Sequence, residues 1–115
     1  MLKLRGIVTG ASRGIGAAIA IELDRRGYEV YGLSRSGRSS AGTGIVCDMT
    51  DEGVVRDTFG RITDDGPVTV LVNNAGFHVS ARSSSLSVAD YTAVMALNAT
   101  AVMVACREIY PHIQF

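Results

Sequence analysis

Thr9-Gly10-Ala11-Ser12-Arg13-Gly14-Ile15-Gly16 is the stretch on which the reading of this chain turns. Just before it, Leu4 to Thr9, with Ile7-Val8 at the centre, predicts a short buried strand. Just after it, Ala17 to Arg26 is rich in helix formers, and Gly27 stands where a C-terminal cap belongs. Glycines 10, 14 and 16 therefore lie between a strand and a helix. In that setting they let the backbone turn sharply and bring an anionic group against the free amides of the helix N-terminus, where the macrodipole also favours negative charge. A glycine turn used only for close packing is the alternative, and the strand-turn-helix context argues against it.

Outward from this unit the alternation continues. Tyr28 to Leu33 predicts a second strand and Gly44 to Cys47 a third, joined by a loop, Ser34 to Thr43, that leaves little room for a full helix. One face of the sheet is therefore expected to be thinly covered. Thr50-Asp51-Glu52 predicts the start of a helix whose stripe is Val54, Val55, Thr58, Phe59 and Ile62, with Thr50 supplying the capping hydroxyl. Val68 to Val72, bounded by Gly66-Pro67 and by Asn73-Asn74-Ala75-Gly76, predicts a fourth strand buried on both faces. Ser87 and Asp90 form a capping box ahead of one long helix, Val88 to Tyr110, which Pro111 ends. The expected fold is α/β: a Rossmann-like parallel sheet of about four strands, an incomplete doubly wound fold in a single domain spanning 1–115.

Composition narrows the partners. The chain has 115 residues and a mass of 12.1 kDa, enough for one core and no more. Eleven basic and eleven acidic residues give no net charge, so neither nucleic acid nor an anionic membrane is an expected partner. The longest apolar run, Ala101 to Cys106, is too short to span a bilayer, and the N-terminus carries no signal-peptide pattern. Cys47 and Cys106 both stand in apolar runs, which predicts buried, reduced thiols and a cytoplasmic protein. His78 and His112 have no carboxylate or thiol at ligand spacing, and no metal site is expected.

The spacing Gly-x-x-x-Gly-x-Gly, with Asp48 after the third strand, Asn73-Asn74-Ala75-Gly76 after the fourth and Asn98 on the following helix, resembles the short-chain dehydrogenase/reductase family. The resemblance covers the whole chain, and its octet and Leu71 to Gly76 are especially similar to 3-oxoacyl-acyl-carrier-protein reductases. It implies an oxidoreductase that transfers hydride to or from a nicotinamide dinucleotide. The implied cofactor-binding residues are Gly10, Ser12, Arg13, Gly14, Ile15, Gly16, Ser34, Arg35, Asp48, Met49, Asn74, Ala75 and Gly76. It also implies Asn98 as a catalytic residue that helps to hold a water in a proton relay.

Chemistry at the end of the second strand points to NADP(H) over NAD(H). A carboxylate there would bind ribose hydroxyls, whereas Ser34-Arg35 offers a hydroxyl and a planar guanidinium for a 2′-phosphate, with Arg13 able to close on it. Each residue keeps a plainer alternative. Arg35 and Arg38 can be solvated loop cations, Asp48 can be a helix-leading or turn carboxylate, Asn73 and Asn74 can form Asx turns, and Asn98 can be an exposed helical amide.

The family's proton donor is a tyrosine with a lysine four residues later, plus an upstream serine. Tyr28, Tyr31, Tyr91 and Tyr110 are followed at that spacing by Gly32, Arg35, Met95 and Gln114, and Lys3 is the only lysine. The chain is therefore expected to be the cofactor-binding half, lacking the C-terminal catalytic half and inactive alone. A non-catalytic dinucleotide-binding or interaction module is the alternative. The open edge of the fourth strand and apolar residues such as Val94, Leu97, Val102 and Ile109 predict a homo-oligomer or association with the missing half.

Overall fold

The computed structural model describes residues 3–113. Its strands are β1 (Arg5–Thr9), β2 (Glu29–Ser34), β3 (Thr43–Val46) and β4 (Val70–Val72). All pair in parallel, in the order β3-β2-β1-β4. The chain moves outward from β1 to β3 and then crosses back to place β4 on the other side of β1. That reversal opens a crevice between the carboxyl ends of β1 and β4, where ligands bind in open α/β sheets. The fold is the Rossmann-like α/β sheet that the sequence predicts.

Two unequal layers cover the sheet. On one face, α2 (Glu52–Asp64) and α4 (Ala101–Ile109) bury Phe59, Ile62, Val104 and Ile109 against Ile7, Tyr31 and Leu33. On the other, α1 (Gly14–Arg25) contributes Ala20 to a smaller cluster with Val8, Val30 and Ala11. Residues 35–42 contain no helix, so this second face is thin, as the short crossover implies. Arg5 is buried, and its guanidinium donates to the Ile62 carbonyl at 2.8 Å and the Tyr31 hydroxyl at 2.9 Å. It thereby ties β1 to the end of α2, where a cation also suits the helix dipole.

Several boundaries differ from expectation, each for a local reason. Helix α1 begins at Gly14 rather than Ala17, because the Ala17 amide already donates to the Arg13 carbonyl at 3.2 Å and closes the first turn inside the glycine loop. Asp51, not Thr50, caps α2 through the Val54 amide; Thr50 is turned toward Asp48 instead. Strand β4 has three residues, while Val68 forms a separate parallel bridge with Ile113, just past the last helical turn. The long helix is α3 (Val88–Met95), a π-helical segment (Ala96–Thr100), α4 and a 3-10 turn (Tyr110–His112). Ser87 caps α3 by accepting from the Asp90 amide at 3.0 Å, as the capping box predicts.

Surface assignments also change. Cys47 is buried, and burial pushes its thiol pKa up, but Cys106 is exposed. Ala101, Val104 and Ala105 face the core, which turns Cys106 outward on the helix. Ile109 is buried too, and Val94, Leu97 and Val102 are half-buried. The outward apolar residues are instead Val88, Tyr91, Met95, Met103 and Tyr110. Averaged along its length, Val88–His112 is apolar enough to cross a bilayer by length and composition, which no single run suggests. In this fold its second half lies on the sheet.

Candidate functional site

The glycine turn is seated on β2. The amides of Gly10 and Ala11 donate to the Leu33 carbonyl at 2.8 and 3.3 Å, and Ala11 is fully buried. Gly16 is buried where a β-carbon would collide with the Gly10 carbonyl and the Asn74 side chain. Only hydrogen fits there, so α1 starts pressed against the crevice. Arg13 is the residue preceding α1, and its side chain makes no capping bond. Helices α2 and α3 have side-chain caps from Asp51 and Ser87, whereas the first-turn amides of α1 have neither an intrahelical partner nor such a cap. The approach to them is open: a β-carbon at Gly14 would meet nothing within 4 Å, and Ile15 is 74% exposed.

The segment after β4 closes the other wall. Thr9 Oγ1 accepts from the amides of Asn74 and Ala75, each at 3.0 Å. The Asn74 side-chain amide donates to the carbonyls of Thr9 and Gly10, each at 3.1 Å. Asn74 therefore locks the two chain exits together across 64 residues of sequence. Asn73 points elsewhere, with its amide nitrogen 3.6 Å from the Cys106 sulfur.

Asp48 Oδ1 accepts from the Thr50 amide at 2.9 Å and the Thr50 hydroxyl at 2.7 Å. Those two bonds, with the nearby Arg35 charge, hold its carboxyl below the usual carboxylate range. The bonds show a turn role, and Asp48 still sits at the carboxyl end of β3 on the exposed side. Among the described residues no ion pair or hydrogen bond engages the guanidiniums of Arg13, Arg35 or Arg38.

Residues 6–114 match the family described as short chain dehydrogenase. The chain belongs to the short-chain dehydrogenase family. Gluconate 5-dehydrogenase of Gluconobacter oxydans (strain 621H) is 36% identical over 121 residues, covering 94% of this chain and 47% of that protein. The 3-oxoacyl-(acyl-carrier-protein) reductase MabA of Mycobacterium tuberculosis (strain H37Rv) is 36% identical over 96 residues, covering 82% and 39%. A short chain dehydrogenase from Burkholderia cenocepacia J2315 in complex with NADP superposes with a TM-score of 0.85 at 32% identity, covering 96% of this chain and 51% of that one. The chain spans less than half the length of these two curated relatives.

As a family member, the chain brings most of its sequence-predicted site residues to one end of the sheet. Gly10 to Gly16 follow β1, Ser34 and Arg35 end and follow β2, Asp48 and Met49 follow β3, and Asn74 to Gly76 follow β4. Two side chains are occupied differently from expectation. The Ser34 hydroxyl, expected to face a ligand, donates to the Arg38 carbonyl at 2.9 Å. Asn98 lies in the π-helical segment, its Oδ1 accepting from the Phe77 amide at 2.9 Å and its Nδ2 donating to the Phe77 carbonyl at 2.7 Å. It is a two-way clamp on the chain leaving Gly76, and π-helical turns of this kind recur at functional sites. Met49 is buried beside Cys47. Sequence reading passed over Thr9, whose hydroxyl fastens the two exits together.

Proposed function

We propose that this chain binds a nicotinamide dinucleotide, with NADP(H) preferred over NAD(H), as the cofactor-binding part of a short-chain oxidoreductase. The observation that carries the reading is the uncapped α1 N-terminus opening on the crevice at Gly14. A pyrophosphate is what such a donor set suits: bare amides, a favourable dipole and no side chain in the way. In this reading Gly10, Ser12, Arg13, Gly14, Ile15 and Gly16 hold the paired phosphates. Arg35, with Arg13, takes the 2′-phosphate, Asp48 and Met49 border the adenine, and Asn74, Ala75 and Gly76 line the inner end. When bound, the nicotinamide supplies or accepts the hydride that interconverts a carbonyl and an alcohol. Asn98 fixes the Phe77 peptide and so positions the wall beside the reacting end.

Proton transfer needs a donor tuned near neutral pH, and no tyrosine in this sequence has a lysine four residues on. The chain alone is therefore expected to bind without turnover. That same observation favours the second reading, a non-catalytic dinucleotide-binding or interaction module. Joining the chain to a C-terminal half that carries such a tyrosine-lysine pair, and gaining carbonyl reduction, would decide for the enzyme.

NADPH and NADH titrations followed by cofactor fluorescence test the core reading. Saturable binding with NADPH tighter is expected; no saturable binding of either removes the reading, and tighter NADH removes the role given to Arg35. Arg35→Ala should weaken NADPH by about 1.5–3 kcal/mol, the worth of a charged hydrogen bond, with little effect on NADH. Self-association, or association with the remainder of the fold, belongs to the same proposal. It is supported by the outward stripe of Val88, Tyr91, Met95, Met103 and Tyr110 and by the edge position of β4. A monodisperse monomer in sedimentation would refute it. We assign the protein to the cytoplasm, where Cys47 stays reduced; cell fractionation checks this.

A further inference from the structure

The crossover after β2 is stapled by its own serines. Ser34 is only 8% exposed, and its hydroxyl donates to the Arg38 carbonyl at 2.9 Å. Ser36 Oγ lies 3.3 Å from Ser34 Oγ and accepts from the Arg38 amide at 3.2 Å. The Gly37 amide donates to the Ser34 carbonyl at 3.3 Å. Together these bonds fold Ser34 to Arg38 into a closed turn, so the backbones of Arg35 and Arg38 are folded back on one another. Both side chains are exposed. The chain beyond the turn lies beside the glycine loop: Ser39 and Ala11 both pack where a β-carbon on Gly32 would stand.

We infer that Arg38 is a second specificity-determining residue for the 2′-phosphate, and that Ser34 acts on that phosphate only through the turn, as a positioning residue. The inference rests on the NADP(H) reading above. A hydroxyl has one proton, and Ser34 has given it to Arg38; a phosphate ester near neutral pH mainly accepts hydrogen bonds, so Ser34 has nothing to donate without releasing the turn. Arg38, in contrast, carries five donors in a planar fork suited to phosphate oxygens. Holding its backbone in place beforehand lowers the ordering entropy that a free loop would lose on closing around the anion.

The test is calorimetric binding to the whole chain of adenosine 2′,5′-bisphosphate and, as the arm without the 2′-phosphate, adenosine 5′-monophosphate. Wild type should prefer the bisphosphate. Arg38→Ala should weaken the bisphosphate roughly tenfold or more and leave the monophosphate unchanged, as expected for loss of a charged hydrogen bond. Ser34→Ala should do the same to a smaller degree, Ser34→Thr should restore binding, and Ser34→Ala should add nothing in the Arg38→Ala background. An Arg38→Ala chain that keeps its melting temperature and full bisphosphate affinity overturns the role of Arg38. Equal losses from Ser34→Ala with and without Arg38 overturn the positioning role, because Ser34 would then touch the phosphate itself. If wild type shows no preference for the bisphosphate, the NADP(H) reading falls and this inference with it. If wild type prefers it and only Arg35→Ala removes the preference, the reading stands and the inference alone is overturned.

Discussion

Two loops leave the carboxyl ends of neighbouring strands, and the structure treats them in opposite ways. Residues 10–16, after β1, are held by the Leu33 carbonyl beneath, by Asn74 across the crevice and by the fit of Gly16 against Gly10. Residues 77–87, after β4, are all exposed, anchored at Phe77 by Asn98 and leading to α3, which buries no residue. The first loop is completed by contacts within this chain, whereas the second has one firm anchor and an unused apolar face. Under the proposed function, the wall that would meet phosphates is thus preformed, and the wall that would meet a substrate is not.

Gly16→Val attacks the rigid side of this contrast where it is tightest. It should destabilise the chain by more than about 3 kcal/mol in urea unfolding and abolish NADPH binding, because the collision is with backbone that cannot move aside. Near-native stability would show the first loop to be as yielding as the second. Asn74→Ala, which removes two bonds between the exits, should follow at about 1–3 kcal/mol.

Asn98→Ala probes the lone anchor of the looser loop. A loss of about 0.5–1.5 kcal/mol is expected, with faster hydrogen exchange at the Phe77 amide and unchanged exchange at Gly10. Exchange rising equally at both amides would mean that the two loops open as one unit.

The smallest effect is a pH dependence at Asp48. Its folded pKa is depressed, chiefly by the Thr50 hydroxyl and then the Thr50 amide. Its contribution is therefore complete above the unfolded carboxylate value of about 3.9 and is lost as pH falls through the lower folded value. Asp48→Asn should flatten that part of the acid unfolding curve, and an unchanged curve would show that the turn bonds carry no charge-dependent stability.

What could be read from the chain alone was local. The glycine octet, the strand before it and the helix after it announce themselves through spacing, and Ser87 with Asp90 marks a helix start because the capping bond spans three residues. The short crossover leaves little room for a full helix by its length. Parallel pairing followed from the alternation of strands and helices, since such strands need long connections.

Tertiary structure decided what depends on contacts between distant residues. Thr9 meets Asn74 and Ala75 only because β4 returns beside β1, and Asn98 finds Phe77 only because α3 and the π-helical turn fold back over the exit. Ser34 shows the same limit at short range: its hydroxyl could face ligand or backbone, and the closing of one turn chose the backbone. Sequence determined which groups the chain carries and the order of its elements, because propensity, capping and periodicity act over a few residues. The use each polar group is put to was decided by folding, because a hydrogen bond goes to whichever partner packing brings within about 3 Å.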